Sequence, residues 1–126
     1  MTKLQALNSF FSSFGIPAYN EDYIYSADTV LPLPYVTYNV QLDNFRGGSR
    51  PIVMTAWYRT TTPKPLEEFE NAVAENIGIN GKVIQCDGGY IWIKRGSPFA
   101  QPLDDSSDKF VKRVIINLSV EFNTAI

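Results

Sequence analysis

The residues able to do chemistry are few, and one missing type does most of the sorting. The chain of 126 residues contains no histidine and one cysteine, Cys86. Without an imidazole there is no base for a Ser–His or Cys–His pair, and one thiol cannot build a zinc–cysteine cluster. Cys86 lies in the short apolar run Lys82-Val-Ile-Gln-Cys-Asp87. The expectation is a small core-facing thiol that nothing activates and that forms no intrachain disulfide.

The other candidates have plainer explanations. Gly47-Gly48 and Gly88-Gly89 lack the spacing of a phosphate-binding loop, so they are expected in turns. Asp104, Asp105 and Asp108 could offer oxygen ligands to a hard cation, but no glycine or terminal glutamate completes a calcium loop. A solvated acidic loop is the better reading. Glu67, Glu68, Glu70 and Glu75 fit a helix whose dipole favours acid near its start. Basic residues are scattered but gather in three places: Arg46 with Arg50, Lys94 with Arg95, and Lys109 with Lys112 and Arg113. With Phe45, Trp92 and Phe110 nearby they could form a nucleic-acid face. Against this stand the net charge of −2 and the plainer role of cations at hairpin tips and strand edges. The sequence points to no catalytic group, cofactor, metal or specific nucleic acid, and an enzyme would need a pocket against an aromatic helix that nothing locates.

The elements follow from periodicity. Thr2 and Gln5 have capping-box spacing, and Leu4, Leu7, Phe10, Phe11 and Phe14 recur as a helical stripe before Gly15 and Pro17, which predicts a helix over 3–14. Three phenylalanines on one face need a broad partner, most simply a β-sheet. Residues 16–34 are expected to be irregular, ending in Leu31-Pro-Leu-Pro34. Alternation from Tyr35 to Leu42 and the run from Ile52 to Tyr58 predict two strands joined by a flexible loop over residues 43–50. Pro65 opens a second helix, 65–77, with Leu66, Phe69, Val73 and Ile77 inside and Gly78 at its end. A hairpin follows over residues 83–93, then a surface loop over 96–108 and a long final strand through Val114, Ile116, Leu118, Val120 and Phe122. One domain, 1–126, is expected: an α+β two-layer sandwich with two helices packed on one face of a mainly antiparallel sheet. The first residues lack a signal-peptide core and no apolar run nears about 20 residues, so a soluble protein made in the cytoplasm, without a membrane partner, is expected.

The assembled order resembles a known group. A first helix ending in Phe14-Gly-Ile-Pro-Ala-Tyr19 precedes Leu33-Pro-Tyr-Val-Thr-Tyr38. A strand with Trp57-Tyr58, the helix Leu66-Glu-Glu-Phe-Glu-Asn-Ala-Val73 and Arg113-Val-Ile-Ile-Asn-Leu-Ser-Val-Glu-Phe122 follow. This set resembles the tail-terminator, or tail-completion (neck), proteins of long-tailed bacteriophages, the group of lambda minor tail protein U. The resemblance implies a virion structural protein of the tail neck that assembles as a ring, commonly hexameric, on the last ring of the tail tube. Its implied partners are further copies of itself, the major tail tube protein and a head-completion or connector protein. A head–tail joining or minor capsid subunit is the alternative within the same machine, and a small nucleic-acid-binding module the alternative from another class. For a ring interface the candidate patches are the two long loops. Phe45, Arg46 and Arg50 on one would face Phe99, Asp104, Asp105 or Asp108 on the other across subunits.

Overall fold

In the computed structural model, which describes residues 1–22, 31–42, 48–104 and 110–126, the chain is mostly β, about half of it strand. The elements are α1 (Lys3–Phe11), a 3-10 turn (Ser12–Phe14), β1 (Ala18–Asn20), β2 (Tyr35–Asn39), β3 (Ser49–Arg59), α2 (Lys64–Ile77), β4 (Lys82–Cys86), β5 (Gly89–Asp104) and β6 (Val111–Thr124). The strands form one sheet of six in the order β1-β2-β3-β6-β5-β4, antiparallel except for the parallel β1–β2 pair.

This corrects the expected two-layer sandwich of two helices on a mainly antiparallel sheet. The fold remains α+β, but its body is a curled, mixed six-stranded half-barrel, and α1 and α2, the two full helices among the described residues, are short. The cause is strand length. β6 runs 14 residues, and β3 and β5 follow it over 11 and 16 residues. Strands that long accumulate twist until the sheet rolls. The expected surface loop from residue 96 is strand as far as Asp104, outside the described residues from 105. Its prolines are accommodated in two ways. A bulge between Arg95 and Ala100 takes up Pro98, where Asn117 Nδ2 donates to the Pro98 carbonyl at 2.9 Å. Beyond Ile93, where β4 has ended, no described strand flanks β5 on that side, so Pro102 leaves no described ladder partner unserved there.

The helices form largely as their sequences dictate. Thr2 and Gln5 close a capping box, with Gln5 N–H donating to Thr2 Oγ1 at 3.2 Å and Thr2 N–H to Gln5 Oε1 at 2.9 Å. α1 tightens into the 3-10 turn after Phe11 and stops at Gly15, whose φ of 91° is left-handed. α2 buries Leu66, Phe69, Val73 and Ile77, the stripe its spacing predicts. No described helix is long and apolar enough to cross a membrane.

Both helices pack on the same face of the sheet. That face presents Ile52, Met54 and Ala56 of β3, Ile91 and Ile93 of β5, and the even-numbered residues from Val114 to Phe122 of β6, all buried. Phe11 is fully buried and stacks on Tyr38 at 4.4 Å between centroids. Phe14 meets Phe69 edge-on at 5.8 Å, and Phe69 meets Tyr58 at 6.4 Å, so aromatic contacts tie the 3-10 turn, α2 and β3 together. The sheet is thus the broad partner that the phenylalanines of α1 require. Leu4 is the exception to the predicted stripe, at 43% exposure.

Candidate interface residues and the open face of the sheet

Strand alternation sends odd-numbered residues of β3 and β6 to the face opposite the helices, and no described helix covers it. Register sets Tyr35 beside Trp57 and Trp57 beside Arg113 across β2, β3 and β6. Tyr35 and Trp57 lie 6.4 Å apart, and the Arg113 guanidinium lies 5.1 Å from the Trp57 ring. Trp57 Nε1 donates to Thr37 Oγ1 at 3.3 Å, which satisfies the indole. Burial pushes the Tyr35 hydroxyl above its ordinary pKa. Beside this cluster lies a recess of about 450 Å³ lined by Leu31, Leu33, Tyr35, Trp57 and Val111, with Arg59 among its walls.

A second aromatic–cation group sits further along the same face. Lys94 Nζ lies 4.4 Å from the Trp92 ring centroid and 3.5 Å from Glu121 Oε2. Its neighbour Arg95 points the other way, donating from Nη2 to the Ala74 carbonyl of α2 at 2.8 Å and lying 5.5 Å from the Phe99 ring. The adjacent pair read in sequence as one basic tip is therefore divided between two faces. Of the charged residues on α2, Glu67, Glu68 and Glu75 are exposed, with Lys64 pairing to Glu68 at 3.9 Å.

The sequence-derived interface residues separate in space. Arg50 is an exposed residue of β3 opposite Val120, and Asp104 is the last residue of β5, opposite Lys112. Those partners stand eight positions apart on β6 (112 to 120), on the order of 27 Å. Arg50 and Asp104 thus mark distant parts of one subunit. Phe99 lies within the bulge, partly buried against the core. Phe45, Arg46, Asp105 and Asp108 lie outside the described residues.

Cys86 ends the edge strand β4 and is half-buried; burial raises its thiol pKa, with the Lys3 charge opposing and Asp87 adding. No group of three or more acidic or cysteine side chains suited to a metal occurs among the described residues. The aromatic–cation cluster at Trp57 depends on cross-strand register, which the sequence does not display. The alternation of Tyr35 and Trp57 within their strands is its one visible sign.

Comparison with protein-family models, with curated proteins and with solved structures gives no significant match.

Proposed function

We propose that the chain is a structural virion protein of the tail-terminator type, which assembles as a ring at the end of a phage tail tube, stops its growth and offers a surface to the head. The observation that carries this reading is the open sheet. Among the described residues β1 and β4 each pair on one side only, and the face bearing Tyr35, Trp57, Trp92 and Val53 has no described helix against it. Sheet edges without a second strand among the described residues, and a partly exposed aromatic face, suit a subunit that finds its partners by adding strands or packing faces. A closed ring needs a heterologous contact, one patch meeting a different patch on the next copy. The divided surface, with acid on the exposed side of α2 and cations on the sheet, is compatible with that. The order of elements that carries the resemblance supports the same reading.

Co-assembly with the major tail tube protein of the same phage tests it. Adding the chain during tube polymerisation should give tubes of limited length with a ring of extra density at one end. Tubes that grow to the same lengths with bare ends would refute the proposal.

A further inference from the structure

The turn between α2 and β4 is built to hold one side chain in solvent. The Gly78 N–H donates to the Ala74 carbonyl at 2.9 Å, and Gly78 and Gly81 have left-handed φ of 71° and 83°. A Cβ on Gly81 would come within 2.5 Å of Trp92 Nε1 and 2.7 Å of the Ile93 carbonyl oxygen, so the turn sits hard against β5. Trp92 Nε1 donates to the Asn80 carbonyl at 3.0 Å. Between these fastenings Ile79 is 94% exposed, the highest value among the large hydrophobic residues described. One exposed isoleucine is ordinary on a protein surface. An isoleucine on a turn pinned at both ends is a preorganised knob, which binds without a large ordering cost.

The Trp57 recess lies on the same chain. Leu31, Leu33, Tyr35, Trp57 and Val111 give it apolar walls and Arg59 gives it a positive charge. Glu75, exposed on α2 and four residues before Ile79, gives the knob a negative one. The two features cannot meet within one molecule. Trp92, which holds the knob turn, pairs with Glu121, and Trp57 in the recess pairs with Arg113, eight positions along β6 and on the order of 27 Å away. We propose that Ile79 of one copy enters the Trp57 recess of a second copy, with Glu75 meeting Arg59 at the rim. This names the contact for the self-assembly proposed above and rests on it. A knob fitting a recess elsewhere on an identical chain is a heterologous contact, which closes into a ring or continues as a filament according to its rotation. A nucleic acid is the less suited occupant, because Lys94 and Arg113 lie over the rings of Trp92 and Trp57 that bases would stack on.

Sedimentation velocity over a concentration series tests the contact with four variants: Ile79→Asp, Arg59→Glu, Glu75→Arg, and Arg59→Glu with Glu75→Arg in one chain. All three positions are exposed, so far-UV circular dichroism should stay that of the wild type. Ile79→Asp should weaken association by about tenfold or more, the scale of losing one buried aliphatic side chain. Each single charge reversal should weaken it, and the double reversal should restore it, which simple misfolding would not. Wild-type assembly that persists in every variant overturns this contact while leaving the ring reading intact. A wild type that stays monomeric throughout overturns both. Filaments in place of rings, sensitive to the same variants, support the contact and count against the ring. An Arg59→Glu loss of single-stranded DNA binding with unchanged assembly would assign the recess to a polyanion and overturn the proposal.

Discussion

Replacing Phe11 by alanine tests whether α1 is held by its aromatic face. The side chain is 0% exposed, stacks on Tyr38 at 4.4 Å with 27° between planes, and meets Phe10 edge-on at 5.4 Å. Deleting a buried phenylalanine typically costs about 3–5 kcal/mol through lost transfer energy and the cavity left behind. The Tyr38 stack accounts for about 1 kcal/mol of this. Relaxation should be limited, because Tyr38 is itself fixed by Asn8 Nδ2 donating to its hydroxyl at 2.7 Å. For a chain of 126 residues the unfolding entropy near the midpoint is about 0.26 kcal/mol/K, so Tm should fall by about 12–20 °C. Leu4→Ala is the internal control. Leu4 belongs to the same periodic stripe in the sequence but is 43% exposed, and its loss should stay within about 0.5 kcal/mol. Chemical denaturation followed by tryptophan fluorescence, with calorimetry for Tm, measures both. A Phe11→Ala cost below about 1.5 kcal/mol, or a Leu4→Ala cost equal to it, would refute the packing argument.

Gly96→Ala should destabilise by about 1–3 kcal/mol in the same denaturation assay, because its Cβ would come within 2.7 Å of the Asn117 carbonyl oxygen, a backbone atom unable to move aside; a neutral result would contradict the close approach at the bulge. Burial, and then the Glu68 charge, raise the Tyr58 hydroxyl above its ordinary pKa of 10.0. The folded state therefore keeps a proton that the unfolded chain releases, so the stabilisation is full below pH 10 and is lost as pH rises towards the raised value. Tyr58→Phe should flatten that part of the decline in Tm, and an unchanged slope would show the hydroxyl to be uninvolved. Glu121→Gln breaks the half-buried pair with Lys94 and should cost no more than about 1 kcal/mol by denaturant titration, since such pairs remain partly screened. Cys86 should react with iodoacetamide more slowly at neutral pH than a free thiol, because burial raises its pKa, and faster alkylation would contradict its placement.

The sequence carries most of this fold where a period and a stop signal coincide. α2 is legible because Pro65, the stripe of Leu66, Phe69, Val73 and Ile77, and Gly78 agree with one another. The hairpin of β4 and β5 is legible from Asp87-Gly-Gly89, and register confirms it with Cys86 opposite Gly89. β1 is three residues long and exists through its pairing with β2, so local sequence holds no sign of it. The second half of β5 is hidden by Pro98 and Pro102, which local rules assign to a loop and which a bulge and a free edge tolerate. Length is the larger lesson. Extending three neighbouring strands rolls the sheet, and no pattern within any one strand signals that. For the surface, the glycine-flanked Ile79 is visible in Gly78-Ile-Asn-Gly81, but its exposure and the recess opposite are not. Of the loop residues chosen from composition, Arg50, Phe99 and Asp104 belong to strands of the sheet rather than to loop tips.

Negative-stain electron microscopy of the purified protein at high concentration, with and without magnesium, tests the proposed self-assembly most directly. Closed rings of about six subunits are the predicted result. Particles of single-subunit size at every concentration and in both buffers would contradict self-assembly.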